Sequence, residues 1–211
     1  NAVKTGYVGR IPDHRHYDQY MVNHYNKVMI ETARSKMMLD VHEPIKPTGL
    51  CRTYPNLMSG EGMRGQEFNA WSDGNKLSHN VTLPFTRNLA GPMDFTPGIF
   101  DLKLVKYKNH DTDFSSYDAH DVGAKPLSRV YSTLAHQLGL YVVFYSPLQM
   151  VADLPENYEG NPAFQFIKDV GVDWDWTKVL DAEVASHVVI ARKEKGKNRW
   201  FVGGITGENQ H

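Results

Sequence analysis

Cysteine is almost absent: Cys51 is the single thiol in 211 residues, so no disulfide can form within the chain and no redox compartment follows from pairing. Charge of one sign is absent too. Lys and Arg number 23 against 24 for Asp and Glu, a net charge of -1, which leaves no basic footprint for nucleic acid or an anionic membrane surface. No apolar run approaches the roughly 20 residues that cross a bilayer. Ten histidines include no His-Glu-x-x-His or cysteine-rich arrangement, so zinc has no recognisable site, and His14, His16 and His24 read as helix-surface residues. An initiator Met and a signal-peptide pattern are lacking at Asn1. Residues 2–8 are instead strand-like, which predicts a chain that starts inside a domain.

What the sequence does have is a concentration of carboxylates and glycines over residues 41–68. Glu43 closes the apolar run 37–41, which has the length of a buried strand, and Pro44 forbids its continuation in a ladder. Its carboxylate is therefore expected at the C-terminal tip of a strand, where the loops of parallel α/β folds gather catalytic groups. Glu67 is expected at the end of a second short strand over 64–69. Two carboxyls on either side of a glycosidic bond suffice for glycoside hydrolysis, one protonated and one ionised. With Glu61 they also supply charge for a hard cation such as Ca²⁺, although their spacing matches no contiguous calcium loop. Solvated loop glutamates are the alternative. Tyr54, Phe68 and Trp71 offer faces for a pyranose ring or for core packing, and Arg52 and Arg64 could orient carboxylates, bond hydroxyls or close structural ion pairs. Asn80-Val81-Thr82 matches a glycosylation acceptor, a pattern too frequent by chance to weigh.

The remaining pattern predicts a helix over 17–36, another over 82–90 stopped by Gly91-Pro92, and a short strand over 93–96. A polar surface excursion over 103–125 follows, then a helix over 127–138 capped by Gly139. Residues 140–146 are the most β-favouring run, and a further helix begins at Asn161-Pro162. Five strand-like runs with little alternation point to buried parallel strands in βα units. After residue 173 the character changes, and 187–192 and 199–205 read as an antiparallel hairpin.

The words His-Glu-Pro-Ile-Lys-Pro-Thr-Gly-Leu (42–50), Arg-Thr-Tyr-Pro-Asn (52–56), Arg-Gly-Gln-Glu-Phe-Asn (64–69) and Leu-Pro-Phe-Thr-Arg-Asn-Leu-Ala-Gly-Pro-Met-Asp-Phe-Thr-Pro-Gly (83–98) together resemble glycoside hydrolase family 97. That family comprises α-glucosidases of bacterial starch utilisation and a branch of α-galactosidases, built as an N-terminal β-sandwich, a (β/α)8 barrel and a C-terminal β domain. The resemblance implies an α/β chain: the second half of the barrel over 1–172 and the start of the all-β domain over 173–211. The N-terminal remainder of the same enzyme would then be its partner. It implies Glu67 as general acid, Glu43 as the base that activates water, and Glu43, Glu61 and Glu67 as Ca²⁺ ligands. His42 and Lys4 would contact sugar, and a fourth ligand and a second base would lie upstream of Asn1. Retaining members carry an aspartate nucleophile at the tip of the strand that here reads Val3-Lys4-Thr5-Gly6-Tyr7. Gly6 has no side chain to attack with, so an inverting mechanism is expected, with carboxyls roughly 6.5 to 9.5 Å apart. The implied activity is calcium-dependent, exo-acting hydrolysis of α-linked oligosaccharides from starch to release glucose, in the periplasm. An α-galactosidase or a catalytically incomplete carbohydrate-binding fragment are the alternatives.

Overall fold

The computed structural model describes residues 1–6, 11–104 and 129–208, so the polar excursion after residue 104 and the start of the helix expected from 127 lie outside the described residues. Three short strands, β1 (Ala2–Thr5), β2 (Met38–Val41) and β3 (Leu57–Gly60), form a parallel sheet in that order. Helix α1 (Gln19–Arg34) makes the crossover between β1 and β2. Asp18 caps it by accepting from the Met21 N–H at 2.9 Å, and Arg34 in its last turn complements the dipole. Met21, Tyr25 and Met29, spaced four apart, form the stripe that buries against Leu39 and Val41 of β2.

Several expectations for the following segment are corrected. No strand runs over 64–69: Arg64 and Gly65 are irregular and Gln66–Glu67 form a turn that leads into a one-turn helix, α2 (Phe68–Trp71). The strand instead lies at Leu57–Gly60, where no β-branched residue advertises it, because pairing with β2 outweighs local preference. The helix expected over 82–90 is α3 (Leu77–Thr82) followed by two 3-10 turns, Leu83–Phe85 and Arg87–Ala90, since Pro84 cannot supply the amide that would extend α3. Residues 93–96 form no strand. They are tied to β3 by one bond, Asp94 N–H to the Gly60 carbonyl at 2.9 Å, and to a later segment by another, Met93 N–H to the Tyr145 carbonyl at 3.0 Å, until Thr96 turns to a left-handed φ of 61°.

The largest correction concerns 134–146. Helix α4 (Leu134–Val143) starts at its Thr133 cap, passes through Gly139 and includes most of the run that reads as a strand. Gly139 is therefore not a cap. A Cβ on Gly139 would lie 2.8 Å from the Gly204 carbonyl oxygen, and one on Gly203 would lie 2.5 Å from the Val142 Cβ, so bare backbone lets the helix and a strand meet closely. Leu140, Val143 and Phe144 join Val81, Leu83, Met93, Phe95, Val188, Ile190 and Ile205 in the main core. Two short helices follow, α5 (Pro155–Tyr158) and α6 (Phe164–Asp169), the second within the expected range. The C-terminal antiparallel sheet has three strands, β4 (Trp174–Glu183), β5 (His187–Glu194) and β6 (Trp200–Thr206), ordered β4-β5-β6. The expected hairpin is β5 and β6. Strand β4 escapes a sequence reading because register shifts at Trp174/Trp176 and Val179/Asp181 spoil its alternation. The whole is an α/β layer followed by a C-terminal β unit.

Candidate active site

The parallel ladder runs one residue past the strands and delivers three loops side by side. His42 N–H bonds the Thr5 carbonyl at 2.7 Å, and Glu61 N–H bonds that of Val41 at 2.9 Å. Gly6, Glu43 and Glu61 thus meet at one edge of the sheet, as expected for strand tips. Glu43 adopts a left-handed φ of 43° ahead of Pro44, a conformation that costs on the order of 1–3 kcal/mol and is tolerated where surroundings enforce it. The enforcing contacts are present. The Tyr25 hydroxyl donates to the Glu43 carbonyl, and the Glu43 N–H donates to Glu61 Oε2 at 3.0 Å. The Glu43 carboxylate lies beside β1, where a Cβ at Gly6 would be 3.3 Å from its Oε2. His16, Tyr17, Glu43, Pro44, Glu61 and Gly62 border an open depression of about 330 Å³, so His16 belongs to the site's rim rather than to a helix surface.

The loop bearing Glu61 is clamped by Arg87, which sequence reasoning passed over. Its Nε donates to the Glu61 carbonyl at 2.7 Å, Nη2 to Gly60 at 2.8 Å and Pro92 at 3.1 Å, and Nη1 to Gly91 at 3.3 Å. Glu67 is held from the other side. The Gln66 N–H bonds the Phe95 carbonyl at 3.0 Å, and its buried amide donates to Gln137 Oε1 at 2.8 Å, which also accepts from Gly98 N–H. Asn75 fixes the Gly65 carbonyl at 2.8 Å. Burial, followed by a hydrogen bond and the charge of Glu61, pushes the Glu67 carboxyl up to about 7.

His42, Glu61 and Glu67 place ligand atoms within 4.8 Å of one another. Two carboxyl groups forced together in this way must share a proton or a cation, and oxygen donors of this kind suit Ca²⁺. Glu61 and Glu67 therefore fit such an ion. Glu43 reaches Glu61 through its backbone N–H.

A second network joins Lys4 and His42. Both donate to one oxygen of Asp94, His42 Nε2 at 2.7 Å and Lys4 Nζ at 2.9 Å, and Lys4 also lies 3.6 Å from Asp40. Asp94 is 2% exposed and Asp40 1%. Burial pushes Asp94 up, but bonds from His42, Asp40 and Lys4 outweigh it and hold its carboxyl well below the usual range. Burial first and Asp94 second push Asp40 up to about 7. Neither Asp40 side-chain oxygen has a hydrogen-bond partner. Burial pulls Lys4 and His42 down, and the Asp94 bond leads the contributions that leave both raised. The signal for Asp40 was a carboxylate inside the apolar run 37–41.

Other candidates are structural. Arg64 bonds Asn75 Oδ1 at 2.6 Å, Ser72 and the Gly74 carbonyl, and lies over the Phe68 ring. Tyr54 packs on the α1 core, Arg52 is exposed, and the Trp71 side chain lies outside the described residues. Asn80 is buried with its amide 3.2 Å from His136 Nε2, which closes it to glycosylation in this fold.

The chain matches the family described as Glycoside hydrolase 97 over residues 1–63 and the Glycosyl-hydrolase 97 C-terminal, oligomerisation family over 173–211. A solved family 97 enzyme of Pseudoalteromonas sp. strain K8, in complex with panose, is 45% identical with a TM-score of 0.82, covering 98% of this chain and 32% of that one. The chain belongs to glycoside hydrolase family 97. The same enzyme is also solved in complex with acarbose. Among curated relatives, the retaining alpha-galactosidase of Bacteroides thetaiotaomicron is 37% identical over 90% of this chain and 27% of the relative. A probable retaining alpha-galactosidase of Streptomyces bingchenggensis is 33% identical over 89% and 25%. The chain thus spans about a quarter of the length of these curated relatives. The N-terminal family 97 match contains Lys4, His42, Glu43 and Glu61, and Glu67 follows just beyond it.

Proposed function

We propose that the full-length protein is an inverting, calcium-dependent α-glucosidase that releases glucose from starch-derived oligosaccharides in the periplasm, with β1–β3 in the second half of a (β/α)8 barrel. The tip of β1 carries this reading. Gly6 offers no nucleophile where retaining members place an aspartate, and the Glu43 carboxylate occupies the space beside it. Without a protein nucleophile, water must attack. Glu67, whose carboxyl is pushed up to about 7 by burial and Glu61 and so holds its proton in part of the molecules at neutral pH, gives that proton to the glycosidic oxygen as the bond to the anomeric carbon breaks. Glu43 takes a proton from the water whose oxygen forms the new bond on the opposite face, so the product hydroxyl is inverted. His42 and Lys4 hold sugar hydroxyls. Glu61 and Glu67, with Glu43 beside them, would hold Ca²⁺, which would supply positive charge that orients the carboxylates.

The glucoside preference draws support from the 45% identity to an enzyme solved with panose and acarbose. An α-galactosidase is the second reading, favoured by the names of the curated relatives. Proton NMR of maltotriose hydrolysis by the full-length enzyme tests the proposal. β-Glucose is expected first, with activity lost in EDTA and restored by Ca²⁺. Initial α-glucose overturns inversion, full activity in EDTA removes the metal, and faster cleavage of nitrophenyl α-galactoside than of the α-glucoside selects the second reading.

A further inference from the structure

We propose that Asp94 is a positioning residue that fixes Lys4 and His42 together, so that the two sugar-contacting groups act as one preorganised unit; this rests on the functional reading above. Lys4 and His42 project from neighbouring strands, and neither sequence proximity nor the ladder fixes their side-chain heads. One atom does so. Asp94 Oδ2 accepts from His42 Nε2 at 2.7 Å and from Lys4 Nζ at 2.9 Å, while Oδ1 accepts from the Thr96 hydroxyl at 3.2 Å.

The anchor is itself immobile. Asp94 donates its N–H to the Gly60 carbonyl, and its neighbours Met93 and Phe95 are each 1% exposed in the main core. With Nε2 committed to Asp94, the His42 ring turns Nδ1 toward Glu61, 3.8 Å from its Oε2. Lysine has a flexible four-carbon stem and a rotating ammonium, so a fixed acceptor decides where its remaining donors point. Asp40, His42 and Asp94 also bring ligand atoms within 4.8 Å of one another. Lys4 Nζ, close to both carboxylates, already supplies the positive charge there, so the cluster is an organiser of side chains rather than a second metal site.

A double-mutant cycle in the full-length enzyme tests the inference, read as kcat/KM on a dinitrophenyl glycoside whose good leaving group keeps slow variants measurable. Asp94→Asn is expected to cost about 30-fold in the wild type but less than about 3-fold in a His42→Gln, Lys4→Met background, because its effect passes through those two residues. Equal losses in both backgrounds, or a loss under about 3-fold in the wild type, overturn the inference. Should Asp94→Asn lack a cooperative melt, Thr96→Val loosens the same carboxylate from its other oxygen. It is then expected to cost about 3-fold in the wild type and nothing measurable in the double variant, with equal losses again overturning the inference. A wild type inactive on both glucoside and galactoside overturns the functional reading and this inference with it. An active wild type with additive losses overturns the inference alone.

Discussion

Glycine at position 65 determines where the Glu67 carboxylate can rest, because a Cβ there would lie 2.8 Å from Glu67 Oε2. Gly65→Ala should displace the carboxyl by a fraction of an ångström to an ångström and lower kcat about 10- to 100-fold. Its melting temperature should stay close to the wild type, and a parallel loss of stability would show that Gly65 serves the fold instead. At this scale the acidic residues were legible. Glu43, Glu61 and Glu67 stand out because prolines and glycines around them stop regular structure, which leaves carboxylates at loop mouths. Asp94 was not legible. Its partners lie 52 and 90 residues away, and no local pattern announces a meeting that only the folded chain creates.

Among elements, α4 and β6 show how packing overrides preference. Leu140-Tyr141-Val142-Val143 favours a strand by composition, yet burial on nearly every side rewards a helix here, and Gly139 and Gly203 allow the two backbones to approach. Gly139→Ala improves intrinsic helix propensity but inserts a methyl group against the Gly204 carbonyl. The clash should win, costing about 1–3 kcal/mol in denaturant unfolding. A more stable variant would mean that the contact relaxes freely. Helix α1 was legible by contrast, since its apolar stripe and its ends agree with what surrounds it. Strand β3 was hidden for the opposite reason: its place is set by β2, and nothing in Leu57-Met58-Ser59-Gly60 declares it.

For the molecule as a whole, acid sensitivity should reflect His136, which ties α4 to α3 through Asn80. Burial pushes its pKa down to about 4, below the roughly 6.5 of an unfolded chain. The unfolded state therefore binds a proton first as pH falls. Stability from this group is complete above about pH 6.5 and declines toward pH 4, by up to about 3 kcal/mol. Comparing denaturant midpoints of the full-length wild type and His136→Gln at pH 7 and pH 5 checks this: the wild type should lose more on acidification, and equal losses would dismiss His136 as the source. Arg87 supplies a contrast in the same fold. Its guanidinium grips backbone carbonyls, which carry no proton to gain and no net charge for salt to screen. The loop that presents Glu61 should accordingly keep its shape across ionic strengths and mild acidity that would loosen an ion-paired loop.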